Sequence, residues 1–132
     1  MSWIHHVVHR PAKEARGSAR GAETELVMTS HRLEIHEVHD EQDRTVLELI
    51  GDVDLRTATL LRQRIESAGQ PGASLVIDLR QVGFMDSPGL GTLIYCDRVQ
   101  RRRGGHLVLK NPVGPVRDLF EIALLASLIE IE

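Results

Sequence analysis

Three observations in this 132-residue sequence predict an α/β domain with a mixed β-sheet and helices packed against it. Short β-branched apolar runs alternate with stretches whose apolar residues recur every three or four positions. Clusters of Gly, Pro and Asn mark the joins. The first two apolar runs are joined by a short polar turn, which implies an antiparallel hairpin, whereas helix-length segments separate the later runs, as parallel crossovers require.

The elements follow in order. Leu33, Ile35 and Val38 predict a first strand, and His39-Asp40-Glu41-Gln42-Asp43 its turn into a second strand from Thr45 to Ile50. After Gly51-Asp52-Val53-Asp54, the spacing of Ala58, Leu61, Ile65 and Ala68 predicts a helix with Arg62, Arg64 and Glu66 on its other faces, stopped by Gly69-Gln70-Pro71-Gly72. A strand from Ser74 to Leu79, a loop carrying Asp86-Ser87 and a helix to about Arg103 come next, with Gly104-Gly105 in the position that ends helices. His106 to Leu109 is a fourth strand. Asn111-Pro112 begins a turn, Val116, Leu119, Phe120 and Ala123 mark a third helix, and Leu128, Ile129 and Ile131 a last strand. The order is β-β-α-β-α-β-α-β over residues 31–132. Residues 1–30, rich in Arg, Ala, Gly, Glu and Ser and without sustained periodicity, are expected to form a weakly ordered N-terminal extension.

Composition narrows the function classes. The net charge is -3 and aromatic residues make up 3%, which argues against nucleic-acid binding through basic surfaces or base-stacking platforms. Arg98, Arg101, Arg102 and Arg103 form a basic run, but in the last turns of a helix cations complement the dipole. No apolar segment approaches the ~20 residues that span a bilayer, and the start of the chain lacks a secretory signal pattern, so a cytoplasmic protein without direct membrane contact is expected. Cys96, the single cysteine, excludes an internal disulfide and reads as a small packed residue. Seven histidines include His5-His6 with His9, and His36 with His39. Neither set has ligand companions at firm spacing, so no metal site and no cofactor are expected, and the histidines read as solvated.

The most informative segment is Phe84-Met85-Asp86-Ser87-Pro88-Gly89-Leu90-Gly91. Ser87 fits the N-cap of the second helix and Pro88 its first turn, where a missing N–H costs nothing. Unpaired N–H groups and the positive end of the dipole would then favour a phosphate on the Ser87 oxygen. From the local sequence alone, a plain N-cap serine is the better account of the residue. Asp54, just before the first helix, reads as a cap too, and Asp52 and Asp78 as ordinary turn or solvated acids. Asp97 interrupts an apolar stripe, and nothing in the sequence explains it. No Gly-x-Ser-x-Gly elbow or triad spacing accompanies Ser87, which argues against an enzyme.

The order of elements, together with Asp86-Ser87-Pro88-Gly89-Leu90-Gly91, resembles the STAS domain family, in particular the anti-sigma factor antagonists, over residues 31–132. Gly51-Asp52-Val53-Asp54-Leu55-Arg56-Thr57-Ala58, the segment Ile77-Asp78-Leu79 with Val82-Gly83-Phe84-Met85, and Asn111-Pro112 with Val116-Arg117 and Leu119-Phe120-Glu121 extend the likeness at matching intervals. The resemblance implies that Ser87 is phosphorylated by an anti-sigma factor that is also a serine kinase. The unphosphorylated form then holds that partner, freeing a sigma factor, and a serine phosphatase resets the switch. It further implies that Asp54 and Asp86 border the acceptor loop, that the face from Ser87 through Pro88, Gly89 and Leu90 docks on the kinase, and that the protein is a monomer or weak dimer. Gly89 and Gly91 are expected to let a partner's backbone approach. A scaffold subunit, with the same fold packed into a larger signalling assembly, and a STAS-like accessory subunit of a lipid or anion transporter are the alternative readings. Three departures stand out. Pro88 replaces the small hydroxyl residue common after the acceptor, Leu124-Leu125 replaces a Gly-Leu turn, and residues 1–30 have no counterpart.

Overall fold

The computed structural model describes residues 32–132 in full, and residues 6–11 and 24–29 as backbone strands. Its elements are β1 (His6–Pro11), β2 (Thr24–Thr29), β3 (Leu33–His39), β4 (Thr45–Val53), α1 (Ala58–Ala68), β5 (Ser74–Met85), α2 (Ser87–Arg102), β6 (His106–Lys110), α3 (Gly114–Ile122), a 3-10 turn (Leu125–Ser127) and β7 (Glu130–Ile131). From β3 onward this is the predicted order of five strands and three helices. The sequence reading expected no strand before His31. The structure instead adds two, β1 antiparallel to β2 and β2 antiparallel to β3, making one seven-stranded sheet in chain order. Backbone pairing along the open edge of β3 is available to any extended segment and leaves little periodic trace, which is why composition misread them. The rest of residues 1–30 lies outside the described residues.

β3 and β4 form the expected antiparallel hairpin, and β4, β5, β6 and β7 run parallel. The buried side chains of all three helices join a single cluster with one face of the sheet, including Leu47, Leu49, Ile77, Leu107, Leu61, Leu93 and Phe120. The opposite face carries a row of valines in register, Val38, Val46, Val76 and Val108. Alternation of side chains along each strand produces the two sets.

Two polar residues explain how helices are pinned to the sheet. Asp97, unexplained in sequence, is buried on α2, where its carboxylate accepts the Leu107 N–H at 2.9 Å and the Arg101 Nε–H at 2.7 Å. It thus satisfies a backbone N–H near the start of β6 from the helix packed beside it. Arg64, expected on an outer face of α1, is instead buried and ion-paired with Glu37 on β3. His36, expected to be solvated, is also buried and bonds the Glu34 carboxylate, while His39 is exposed. The His5-His6-His9 side chains lie outside the described residues. Cys96 is buried as expected, and burial together with the nearby Glu66 charge pushes its thiol up to about 12 despite an opposing effect of Arg62.

Gly104 takes a left-handed φ of 86° after α2, the expected stop. At the end of α3 the same role falls to Leu124, with φ 53° and ψ 42°. A Cβ in that region costs roughly 1–2 kcal/mol. Leu124 is 72% exposed, so little burial offsets it. Replacing Leu124 with Gly is therefore expected to stabilise the fold by about 0.5–1 kcal/mol, after the greater unfolded-state entropy of glycine is counted, as read by urea denaturation.

Candidate functional site

The site is built where β4 and β5 end. Their parallel register runs from Thr45 opposite Leu75 to Glu48 opposite Asp78, then shifts at two irregularities so that Val53 lies opposite Met85. Each shift moves β5 by one residue, about 3.3 Å along the strand, so together they draw the β5 end back by about 7 Å. The loops after Val53 and Met85 are thereby neighbours, and Asp54 and Asp86 stand side by side in the fold although 32 positions apart in sequence. β4 and β5 run on through segments that the sequence suggested were turn and loop.

Asp86, not Ser87, is the N-cap of α2, with extended backbone at φ -105° and ψ 179°. Its Oδ1 accepts the Gly89 N–H at 2.8 Å, and its Oδ2 accepts the Leu55 N–H at 3.2 Å across the loop from β4. Its own N–H donates to the Val53 carbonyl at 3.3 Å. The carboxylate therefore clamps the two loops together and occupies the amide that a helix N-terminus would offer to an anion. Pro88 contributes no N–H. The expectation that free amides ring Ser87 is thus corrected: apart from the N–H of Ser87 itself, the nearby donors are engaged.

Asp54 also differs from its expected part. Its Oδ1 accepts the N–H groups of Arg56 at 2.8 Å and Thr57 at 3.1 Å, closing a turn before α1, whose N-cap is Thr57. The Thr57 hydroxyl accepts the Asp54 N–H at 3.0 Å and donates to the Asp52 carbonyl at 2.9 Å. Asp54 is only 8% exposed and Thr57 less. Their job is to hold the loop after β4 in shape. Asp52 ion-pairs with Arg32 at 3.6 Å, and Asp78 accepts from the Arg80 N–H at 3.0 Å and from Asn111 Nδ2 at 3.2 Å.

Ser87 is exposed, and among the described residues its hydroxyl has no hydrogen-bond partner. Pro88 is exposed beside it, whereas Gly89 and Leu90, expected on the docking face, are buried. Leu90 belongs to the core. Gly89 is a packing necessity, since a Cβ there would sit 2.2 Å from the Val53 carbonyl oxygen. The expectation that Gly89 makes room for a partner is replaced by close approach of α2 to the end of β4. Two apolar side chains missed in the sequence take the surface instead: Leu55, 71% exposed next to the Asp86 clamp, and Phe84, 49% exposed opposite Asp52 in register. Leu55 sits between two polar residues and Phe84 continues an apolar strand, so neither announces its exposure in sequence.

This fold and this loop define a STAS-type domain, and the comparisons with known proteins agree. The family model described as Mlab, STAS domain matches residues 36–130. The chain belongs to the STAS domain family. It is 30% identical over 95 residues to the anti-sigma-B factor antagonist of Bacillus subtilis, covering 72% of this chain and 87% of the relative. It is 36% identical over 83 residues to the anti-sigma-B factor antagonist of Listeria monocytogenes, covering 62% of this chain and 73% of that one. Among solved structures, unphosphorylated SpoIIAA, an anti-sigma factor antagonist, superposes with a TM-score of 0.59 at 20% identity over 74% of this chain and 87% of its own, a likeness of fold. Among the described residues no helix is long and apolar enough to cross a membrane.

Two substitutions test the clamp. Asp86→Ala removes the cap and the bond to Leu55 and is expected to cost about 1–2 kcal/mol in denaturant unfolding, with Asp86→Asn less severe. Gly89→Ala is expected to destabilise by more than 1 kcal/mol, on the order of an overpacked core site, because the clashing atom is backbone and cannot swing away.

Proposed function

We propose that this protein is an anti-sigma factor antagonist that works as a phosphorylatable binding module. In the unmodified state it holds an anti-sigma factor with serine kinase activity. Phosphorylation of Ser87 by that kinase releases it, and a serine phosphatase restores the binding form. The module is the STAS domain of residues 31–132, residues 1–30 are an extension to it, and it acts in the cytoplasm as a monomer or weak dimer without catalysis of its own.

The observation that carries the reading is the exposed, unbonded Ser87 hydroxyl at the first turn of α2, next to the exposed Pro88, with the exposed Leu55 on the loop that Asp86 ties to that turn. A kinase needs a hydroxyl it can reach, and a reversible partner needs apolar surface around it. The switch follows from the engaged amides. A phosphate adds about -1.5 to -2 charges. Here it would stand next to Asp86 and near Asp54, with the Gly89 and Leu55 N–H groups already taken and none on Pro88. The added charge meets like-charge repulsion beside Asp86 and brings a hydrated group into the contact surface. Binding is lost without refolding.

The test is a pull-down from lysate of the source cells with wild-type, Ser87→Ala and Ser87→Asp baits, followed by ATP and mass spectrometry. The wild type and Ser87→Ala are expected to retain one kinase that Ser87→Asp does not, and ATP to place one phosphate on Ser87 of the wild type alone. Phosphate on another residue, or the same partners on all three baits, rejects the proposal.

A further inference from the structure

A groove of about 400 Å³ opens beside the Ser87 loop, between α1 and α2, lined by Thr59 and Arg62 of α1 and by Pro88, Gly91, Thr92 and Tyr95 of α2. Pro88, the residue next to the acceptor serine, is one of its walls. Arg62 is the only charged side chain that lines it, is exposed, and forms no ion pair among the described residues, Glu66 one turn along α1 included. Tyr95, the only tyrosine of the chain, is 48% exposed. Arginine and tyrosine are the side chains that dominate binding energy at protein interfaces. The Thr92 hydroxyl is committed to the Pro88 carbonyl at 2.9 Å.

Gly91 supplies the second, independent observation. It lies inside α2, where glycine is unfavourable relative to alanine. Unlike Gly89, a Cβ built on it meets nothing within 4 Å. The fold has no use for a glycine at this position, yet its absent side chain lowers one side of the groove.

Building on the partner-switch reading, we infer that this groove is the second half of the docking surface and receives a carboxylate-bearing segment of the kinase partner, with its Asp or Glu on Arg62 and its backbone against Gly91. The sign of the single charge selects a carboxylate. The bare helix surface at Gly91 admits main chain, and the shared wall at Pro88 makes the groove continuous with the acceptor surface. Docking in the groove orients the Ser87 hydroxyl toward the kinase, and Pro88 is tolerated after the acceptor because it serves as wall rather than as an amide donor. A volume of this size also fits a small molecule, which is the competing occupant.

The experiment uses the purified full-length chain and the kinase that the wild-type bait retains. Affinity is measured by calorimetry for wild type, Arg62→Glu, Gly91→Ala and Ser87→Asp, with a melting temperature for each. Arg62→Glu is expected to weaken binding by about tenfold or more and to reduce its dependence on salt. Gly91→Ala is expected to raise the melting temperature while weakening binding, a combination that loss of folding cannot produce. Wild-type affinity in either variant, with Ser87→Asp still unable to bind, overturns the groove and leaves the serine switch intact; wild-type affinity in Ser87→Asp overturns the switch itself. A photo-crosslinking p-benzoylphenylalanine at position 92 then identifies the occupant. A kinase peptide containing Asp or Glu is expected, and no cross-link, or a peptide lacking both, rejects the inference in favour of a small-molecule groove.

Discussion

The Asp86 carboxylate is the contact around which this site is organised. One oxygen holds the first turn of α2 and the other holds the loop that leaves β4, so two segments far apart in sequence become one surface. The clamp works only because α2 starts close against the end of β4, and that approach requires the absence of a side chain at Gly89. Asp54 and Thr57 complete the arrangement by reciprocal bonds that fix the β4 loop from within. The acids beside Ser87 are thus structural first. Their charges nonetheless set the electrostatic background against which a phosphate at Ser87 would be felt.

A spent helix N-terminus changes how such a switch operates. A phosphate placed on free amides would be welcomed by the protein and could order the loop. Here the amides have a resident anion and Pro88 withholds another, so added charge is an intrusion. The chain responds through its surface rather than its shape, which suits a small domain whose core joins all three helices to one face of β3, β4, β5 and β6.

Membership of the STAS family rests on the matched region and on the relatives, and the particular surface of this chain rests on its own residues. Leu55, Phe84, Pro88 and Tyr95 supply apolar contact area, and Arg62 a positive charge at one side. An apolar surface with a cation on its groove wall is the kind that discriminates among partners by register and sign.

Sequence alone determined the order of elements from Leu33 to Ile131, the antiparallel start, the parallel remainder and the position of Ser87 at a helix start, because each of these is written in local periodicity, turn residues and caps. It also placed Gly104 at the end of α2 for a local reason. It misassigned the cap itself by one residue, since both Asp and Ser satisfy that role and only the extended backbone at residue 86 distinguishes them. The strands His6–Pro11 and Thr24–Thr29, the burial of Arg64 and His36, and the purpose of Asp97 were beyond it, because each depends on a partner from a distant segment. The tertiary structure alone decided which side chains face solvent at the site. Two one-residue shifts between β4 and β5 bring Val53 opposite Met85, and around the loops that follow Gly89 and Leu90 are buried while Leu55 and Phe84 are exposed. A register shift is a relation between strands, and no single stretch of chain carries it.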